Sequence, residues 1–429
     1  MTNSNHYDAI IIGTGPGGLG AAFHLIQNKP DLKILMIEKE NTSTGGLRND
    51  CKMNFSYPIG FPLDNWSKEE AEHYLEMVES ILKPVLLPKK NIDIYEKRAE
   101  TLGVELLNIR QSHLGTDGGL ALIKELCASL EKLNVTIKLA VEAENITTGS
   151  KTIETNQGTF SYDHLIVAPG RHGFQYLQKM MHSLGIFFID NVLDVGIRVE
   201  TRMDHYPIVR DYYDPKFHFP GKVRTFCTNS NSAYVVQEKY QSQGGQPFYS
   251  VNGHAWSAEK NRQNNLVNFA MLKTIRLTEP LASGHRYGEI LGLQADLLGG
   301  GKPIMQRVGD FRLSKRSKTS SFNTDLYDFA PTLKGSTPGD ISLAMPSKIL
   351  RAIWKSMKQL DTIIPGVLHP STIMYYPEIK MYANKPEFLD RYFRVHDNIY
   401  MIGDGAGTSR GITGAWASGI RAAEGILKK

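Results

Sequence analysis

Cysteines are few in this chain of 429 residues, and none of them form a close pair. Cys51, Cys127 and Cys227 lie far apart, without a C-x-x-C motif. This spacing argues against a disulfide framework, a zinc site and a redox-active dithiol. We therefore expect a protein of a reducing compartment that holds no metal ion.

Long apolar runs are also missing. No stretch reaches the roughly 18 consecutive apolar residues that a membrane-spanning helix needs, and residues 1–7 lack the basic and apolar regions of a signal peptide. Apolar residues make up 41% of the chain and charged residues 22%, which is typical of a protein with a substantial core. We expect a soluble, cytoplasmic protein of two or three domains that does not bind membranes.

The excess of positive charge is small. Subtracting 44 acidic residues from 49 basic residues gives a formal net charge of +5. A charge this low on a chain this long does not indicate a nucleic-acid partner unless the basic residues are clustered. Nucleic acid is therefore not the expected partner, and a small acidic ligand is compatible with the composition.

The first 40 residues carry the clearest pattern. A β-branched run at 9–12 predicts a buried parallel strand, and a helical repeat of apolar residues at 19–27 is followed by a strand at 33–37. Between the first strand and the helix, Gly13, Gly15 and Gly18 match G-x-G-x-x-G, and Glu38 follows Gly18 by 38 minus 18, or 20, residues. In this pattern bare backbone N–H groups bind a pyrophosphate and the acidic residue binds a ribose, so a dinucleotide-binding βαβ unit is predicted.

The C-terminal segment shows the same order of a strand, a turn and a helix. Residues 398–402 are predicted to form a strand, 403–405 a turn and 414–427 a helix. In this motif the Asp404 carboxylate is expected to lie against the ribityl chain of a flavin, and the amides that start the helix are expected to point at the flavin ring. Because NAD-dependent dehydrogenases need no such second element, the two motifs together indicate FAD.

Both chain ends thus contribute to one nucleotide-binding domain. From about residue 187 to residue 386 the sequence is richer in Tyr, Phe, His, Pro and Gly and shows less helical periodicity. We predict an α/β fold, α+β overall, with a Rossmann-like FAD-binding domain built on a parallel sheet. That domain comprises residues 1–186 and 387–429, and an inserted mixed-sheet substrate domain comprises residues 187–386.

Three segments resemble the FAD-binding half of the glutathione-reductase-like flavoprotein superfamily: residues 13–38, the strand that ends at residues 168–170, and residues 403–405. Short segments further along the chain resemble a bacterial family of uncharacterised FAD-dependent dehydrogenases. These segments are residues 213–219, 251–254, 268–270, 298–303, 337–342 and 377–380. The likeness covers most of the chain from Gly103 onward, whereas residues 48–99 do not match the family pattern. The motifs and the resemblance together give a set of expected FAD-binding residues: Gly13, Gly15, Pro16, Gly17, Gly18, Glu38, Lys39, Arg48, Val141, Pro169, Gly170, Gly403, Asp404, Gly411 and Ile412.

A second nucleotide motif is absent. No further G-x-G-x-x-G unit occurs between Val141 and Met401, and the glycines at 299–301 follow a predicted helix rather than a strand. A stable NADPH domain is therefore not expected. Electrons are expected from a transiently bound NADH or NADPH, from a partner protein or from the substrate itself.

The substrate side is predicted from the inserted domain. Lysine or arginine would orient a carboxylate of a small-molecule substrate, and histidine or tyrosine would donate a proton. These side chains are expected to line a cavity that faces the flavin. The catalytic candidates among them are Lys380, Tyr382, His254, Lys302, Arg307 and Glu378, and the cavity also includes His218 and Arg224. Lys380 ranks first because strand alternation places it on one face with Glu378 and Tyr382. A purely structural role is the competing interpretation for each of these side chains.

Three functions follow from these patterns. The first is an FAD-dependent oxidoreductase that transfers a hydride between flavin N5 and a small organic substrate. The second is a flavin-dependent monooxygenase, because the same cofactor domain serves both classes. The third, an RNA-binding or RNA-modifying flavoprotein, depends on the basic run at 312–318, for which a solvated loop is the favoured interpretation because it lacks interleaved aromatic residues.

Overall fold

The computed structural model describes residues 5–42, 47–48, 50–255, 264–278, 280, 283–323, 329–381 and 384–428. Tyr382, one of the catalytic candidates, lies outside the described residues. The chain divides into two compact units. Unit 1 comprises Met1–Leu86, Ile109–Asn191 and Tyr382–Lys429, and unit 2 comprises Leu87–Asn108 and Val192–Met381.

Unit 1 is built on one sheet, in which four neighbouring strand pairs are parallel. Along the sheet the order is β21 (Arg394–His396), β22 (Ile399–Met401), β9 (Gly158–Val167), β1 (His6–Ile12), β2 (Ile34–Glu38) and β6 (Thr136–Leu139). The hairpin of β7 (Ala143–Thr147) and β8 (Thr152–Thr155) adds to β9 in antiparallel fashion. The parallel core confirms the predicted Rossmann-like α/β fold.

Both faces of this sheet are covered, which explains the continuous apolar run of β1. Ala9 and Ile11 pack into one apolar cluster with the helices, whereas Ile10 and Ile12 pack into another on the opposite face. The helices of unit 1 are α1 (Pro16–Asn28), α2 (Lys68–Leu82), α4 (Gly115–Lys132), α5 (Phe174–Ser183) and α9 (Ile412–Leu427). A separate two-stranded ribbon consists of β3 (Lys52–Asn54) and β5 (Gln111–His113), and a short one of β10 (Phe188–Asp190) and β20 (Asn384–Pro386).

Helices α1 and α9 come from opposite chain ends and pack in direct backbone contact. A Cβ at Gly20 would overlap the carbonyl oxygen of Trp416, and a Cβ at Gly419 would overlap the carbonyl oxygen of Gly17. Only glycine permits this separation between two helices. The contact fixes the start of α9 beside the start of α1.

Unit 2 is built on a mixed sheet of eight strands. Their order is β18 (Thr337–Pro338), β17 (Ile304–Arg307), β19 (Ile373–Met381), β11 (Leu193–Arg202), β16 (Leu266–Ile275), β13 (Val223–Asn231), β12 (Lys216–Phe219) and β4 (Glu105–Leu107). A hairpin of β14 (Ala233–Gln241) and β15 (Pro247–Ala255) lies beside it. The remaining helices are α3 (Asp93–Glu100), α6 (Gly284–Gly299), α7 (Val308–Arg312) and α8 (Ser347–Ile363).

The core of unit 2 lies between this sheet and its helices. Ile349, Ile353, Met357 and Leu360 recur on one side of α8 and are all buried in the same cluster as the central strands. On α6, a Cβ at Gly292 would overlap the ring of Phe248, so this helix also packs closely.

Unit 2 differs from the predicted substrate domain in three segments, of which two are short, because residues 187–191 and 382–386 fall in unit 1. The prediction assigned residues 87–108 to the FAD-binding part, but the structure groups them with unit 2. The reason is strand pairing: Leu106 and Leu107 of β4 pair with β12, and the Tyr212 hydroxyl donates to the Leu107 carbonyl over 2.5 Å.

Among the described residues, no helix combines the length and the apolar character needed to cross a membrane.

Candidate functional site

The glycine-rich turn between β1 and α1 is closed by backbone contacts. Gly13 has φ +101° and its N–H donates to the Ile37 carbonyl over 2.8 Å. A Cβ at Gly13 would overlap the Ala168 carbonyl oxygen, and one at Gly18 would overlap the carbonyl oxygen of Gly13. These positions therefore require glycine, as the motif predicted.

The first backbone amides of α1 have no side-chain cap. Gly15 occupies the N-cap without a side-chain cap, Pro16 follows, and no acidic residue lies in the first turn. The first amides of a helix lack partners within the helix, and the helix dipole adds positive potential there. Gly17 and Gly18 belong to this turn, so the arrangement suits a diphosphate.

Glu38 ends β2 beside this turn and is 7% exposed. Its Oε2 accepts hydrogen bonds from the backbone N–H and the hydroxyl of Thr14, each over 3.1 Å, and its Oε1 accepts the N–H of Glu40 over 3.2 Å. These bonds hold the carboxylate against the glycine turn, which is where the sequence pattern expects the ribose.

The other expected residues near β2 have different surroundings. Lys39 and Arg48 are exposed, and Arg48 Nη1 donates to the Thr42 hydroxyl over 3.0 Å. Val141 is buried, and its N–H donates to the Glu38 carbonyl over 2.9 Å. Val141 is therefore next to Glu38, whereas the hydrogen bond described for Arg48 goes to Thr42.

The turn after β22 is held by Asp404. Its Oδ1 accepts the Ser409 hydroxyl over 2.7 Å, and both carboxylate oxygens lie 3.0 Å from the Gly411 N–H. Arg171 Nε is 3.7 Å from Oδ2. Asp404 thus shapes the loop that starts α9, a structural role that stands beside its predicted contact with the ribityl chain.

Space is open along these turns. Gly170, Gly403 and Gly411 have φ of +69°, +82° and +106°, and no atom outside the immediate chain lies within 4 Å of an added Cβ at any of them. A Cβ at Gly405, in contrast, would overlap the Gly170 carbonyl oxygen, so the turns after β9 and β22 touch. Backbone atoms of these turns therefore border open space, which we call the cradle of unit 1. Pro169 and Gly170, the α1 turn, Glu38, Asp404 and the Gly411–Ile412 helix start are the residues that would hold FAD.

Sequence reasoning missed a further part of unit 1, the β3–β5 ribbon and the loop that follows β3. The Thr413 hydroxyl donates to the Asn54 carbonyl over 2.6 Å, and the Arg410 N–H donates to the Gly60 carbonyl over 3.0 Å. Close packing makes glycine necessary here too, because a Cβ at Gly414 would overlap the Gly60 oxygen. Residues 48–99 matched no motif, so only the fold brings Asn54 and Gly60 to the start of α9.

The ribbon carries a buried ionic group. His113 Nε2 lies 2.6 Å from Asp50 Oδ1, and Lys52 Nζ lies 3.1 Å from Asp50 Oδ2. Burial alone would raise the pKa of the Asp50 carboxyl, but Lys52 and the His113 hydrogen bond outweigh it and hold that pKa well below its usual range. Burial and the Asp50 charge raise the pKa of the adjacent Cys51 thiol to about 12, so this cysteine is not a thiolate nucleophile at neutral pH.

In unit 2 the structure brings Lys380 and Glu378 together on β19. The Glu378 carboxylate accepts hydrogen bonds from Arg198 Nη2 over 2.6 Å and from Arg198 Nε over 2.7 Å. Both side chains are fully buried. Lys380 Nζ lies 3.5 Å from Glu378 and 3.3 Å from Glu238, whose side chain is 31% exposed. Asn252 joins the group by donating to Glu238 over 2.6 Å. The four charges alternate in sign and add to zero.

Arg307, Lys302 and His254 are the other catalytic candidates that the structure describes. Arg307 is buried and donates to the backbone carbonyls of Ser321, Phe329 and Ser371, which favours a structural role. Lys302 is exposed in the turn after α6, and His254 is half-buried on β15. Their catalytic roles stay predictions.

Arg224 and His218, which are also predicted to line the substrate cavity, have charged neighbours of their own. Arg224 pairs with Asp194 over 2.6 Å. Burial, together with the positive charges of Arg224 and Lys216, lowers the pKa of His218 to about 4.

The basic run at 312–318 starts at the end of α7. Arg312, Lys315, Arg316 and Lys318 are exposed, as the solvated-loop interpretation expects. Arg312 lines an open cavity of about 560 Å³ together with Phe311, Trp354 and Lys358. This cavity belongs wholly to unit 2.

One group of described residues has metal-ligand spacing. Atoms of His6 and Asp8 on β1 and of Asp163 on β9 lie within 4.8 Å of one another. His6 and Asp163 are 44% and 50% exposed and form an ion pair of 3.4 Å between themselves. The expectation that the protein holds no metal stays a prediction.

Comparison with protein families places residues 7–176 within the pattern of the pyridine nucleotide-disulphide oxidoreductases. This match supports the expected enzyme class, an oxidoreductase, and FAD as the cofactor. It covers the βαβ unit and the strand that ends before Pro169, but less than half of the chain. Membership of the glutathione-reductase-like superfamily stays a prediction.

Individual relatives are more distant. A soluble pyridine nucleotide transhydrogenase of Vibrio atlanticus is 52% identical over 46 residues, which is 11% of this chain and 9% of that protein. An uncharacterized protein of Clostridium beijerinckii is 22% identical over 346 residues, 74% of this chain and 62% of that one. The chain therefore spans less than two thirds of the length of either relative. Among solved structures, glycine oxidase from Geobacillus kaustophilus aligns with 99% of this chain and 96% of its own at 10% identity, with a TM-score of 0.45.

Proposed function

We propose that the protein is an FAD-dependent oxidoreductase that moves a hydride between flavin N5 and a small organic substrate. The observation that carries the proposal is the open cradle of unit 1. Three glycines with positive φ border unfilled space, beside a helix start whose amides have no side-chain cap. This combination suits a large dinucleotide, because its phosphates need amides and its ring needs room.

Bound FAD would supply hydride chemistry, and the protein would supply orientation. The start of α1 would hold the diphosphate, Glu38 a ribose, and the start of α9 the flavin ring. The reductant in this proposal is a transient NADH or NADPH or the substrate itself, because the described residues contain one glycine-rich βαβ unit.

A matched pair of glycine variants tests the cradle. Gly411→Ala places a methyl group in the open space at φ +106°, whereas Gly158→Ala places one in open space at φ +116° in the hairpin between β8 and β9. Both changes carry the same kind of backbone strain, about 1–2 kcal/mol. We expect wild type and Gly158→Ala to bind FAD, as seen by flavin absorbance after reconstitution, and Gly411→Ala to bind it at least tenfold more weakly.

Two results would contradict the proposal. The first is wild-type protein that is colourless and takes up no FAD on reconstitution. The second is equal FAD affinity of the two glycine variants, which would show that the open space beside Gly411 is not the cofactor site. The monooxygenase alternative is separated by mixing reduced protein with oxygen, since a transient flavin C4a adduct would favour it.

A further inference from the structure

The cavity beside α7 and α8 of unit 2 has the size of a small-molecule site. Its volume is about 560 Å³, and ligand pockets in proteins commonly enclose roughly 300–1,000 Å³. None of the described catalytic candidates lines it. The cavity is therefore a second candidate site, built from residues other than those of the cradle and of the ionic group around Glu378.

One buried amide connects segments that line the cavity. Gln306, on β17, also lines the cavity and is 1% exposed. Its Nε2 donates to the Lys315 carbonyl over 2.8 Å, and its Oε1 accepts the Ile341 N–H over 2.9 Å. Ser314 precedes Lys315, Ser342 follows Ile341, and both serines line the cavity. These segments are thus held in fixed positions, which lowers the entropic cost of binding a ligand.

Two cations line the cavity without an ion pair. Arg312, at the end of α7, and Lys358, on α8, are both exposed. Among the residues that the structure describes, neither the Arg312 guanidinium nor the Lys358 ammonium has a hydrogen-bond or ion-pair partner. Both groups bind phosphate oxygens through charge-assisted hydrogen bonds. Two cations match the charge of about −1.5 to −2 on a phosphate monoester, whereas one cation would match a carboxylate.

Two aromatic rings lie in the same lining. Phe311 directly precedes Arg312, and Trp354 lies four residues before Lys358, on the same face of α8. The ring centroids of Phe311 and Trp354 are 4.7 Å apart at an interplanar angle of 56°, and both side chains are half-buried. Rings of this kind bind planar bases by stacking, whatever the identity of the base.

One carboxylate completes the lining. Asp340 Oδ1 accepts the Ser342 N–H over 2.9 Å and the Ser342 hydroxyl over 2.7 Å. Among the described residues, Asp340 Oδ2 has no partner. An ionised carboxylate only accepts hydrogen bonds, so it suits the hydroxyl groups of a sugar and repels a second anion. The lining therefore suits a ligand with one anionic end, a planar ring and hydroxyl groups.

We propose that this cavity binds a nucleoside phosphate. The phosphate pairs with Arg312 and Lys358, the base packs against Trp354 and Phe311, and the sugar hydroxyls donate to Asp340. An aromatic amino acid also has a ring and an anionic group, but its single carboxylate would leave one of the two cations unbalanced. A free mononucleotide and the phosphorylated adenosine half of NADPH share the proposed chemistry. The site goes beyond the proposed function, because its residues have no part in binding FAD.

Isothermal titration calorimetry with 5′-AMP tests the site in FAD-saturated protein, where FAD excludes AMP from the cradle of unit 1. Wild type should bind 5′-AMP and should bind adenosine at least about tenfold more weakly, since adenosine lacks the group that pairs with the cations. Arg312→Met and Lys358→Met should each weaken 5′-AMP binding at least about fivefold, and Trp354→Leu should do the same through lost stacking.

Lys348→Met is the matched control. It also removes an exposed lysine of α8, but Lys348 lies in the first turn of the helix and outside the lining. Its affinity for 5′-AMP should stay within about twofold of wild type, because an exposed charge outside the site is largely screened. Circular dichroism checks the fold of each variant. If Trp354→Leu does not fold, the variants of the two exposed cations decide the question.

A parallel titration with NADP⁺ distinguishes the two sources of the nucleotide. Tighter binding of NADP⁺ than of 5′-AMP, lost in the same variants, supports a dinucleotide ligand, and the reverse order supports a mononucleotide. Either order supports a nucleoside phosphate site. Wild type that binds neither compound would overturn the proposal. Equal affinities of wild type, Arg312→Met and Lys358→Met for 5′-AMP would also overturn it, because the nucleotide would then bind elsewhere.

Discussion

The buried ion pair between Arg198 and Glu378 permits a quantitative prediction. Both side chains are fully buried, and two hydrogen bonds of 2.6 and 2.7 Å join them. Glu378→Gln removes the negative charge and leaves Arg198 and Lys380 facing each other, with Glu238 as the remaining anion of the group. Removing one partner of a buried pair costs about 3–5 kcal/mol, because the other charge stays desolvated and unbalanced.

The prediction is checked by urea unfolding followed by circular dichroism. Glu378→Gln should lower the free energy of unfolding by about 3–5 kcal/mol. The matched control is Asp204→Asn, which removes a carboxylate that is 60% exposed and pairs with Arg210 on the surface of the same unit. That change should alter stability by no more than about 0.5 kcal/mol.

A double-mutant cycle separates the pair from other effects of substitution. Arg198→Met combined with Glu378→Gln should cost less than the sum of the two single changes, since the second removal no longer leaves a lone buried charge. Additive losses, or a loss below about 1 kcal/mol for Glu378→Gln alone, would refute the reasoning that these charges depend on each other.

Three further predictions concern other parts of the molecule. Lys380→Met should keep FAD yet slow flavin reduction by substrate; an unchanged single-turnover rate in a stopped-flow experiment would remove Lys380 from the catalytic candidates. Because the pKa of His218 is lowered from 6.5 to about 4, the unfolded state takes up a proton first as the pH falls between these values, and stability declines. The decrease in Tm from pH 7.5 to pH 5 should therefore be smaller in His218→Gln, and an equal decrease would contradict this. Gly20→Val, whose Cβ would overlap the Trp416 carbonyl oxygen, should destabilise the protein by about 1–3 kcal/mol in thermal unfolding, whereas Gly149→Val, with open space around it, should not.

The sequence by itself determined the parallel core of unit 1. Its signals are local: a β-branched run, a glycine turn and a helical repeat lie next to one another in the chain, and each has a single favoured structure. The requirement for glycine at positions 13 and 18 was therefore predictable. So was the relation of both chain ends, because the C-terminal strand and turn repeat the pattern of the first.

Tertiary structure alone decided the rest. Residues 87–108 belong to unit 2 because β4, within this segment, pairs with β12. No local sequence pattern in the segment indicates this distant strand partner. Long-range contacts likewise place Asp50, Lys52 and His113 together, although 63 residues separate Asp50 from His113. Side-chain roles in unit 2 were predicted from residue type and stay predictions. The structure adds the partners: Arg307 donates to three carbonyls, whereas Glu378 and Lys380 belong to a neutral ionic group. Chemistry of this kind depends on which charges meet in the folded chain, and sequence spacing does not encode that.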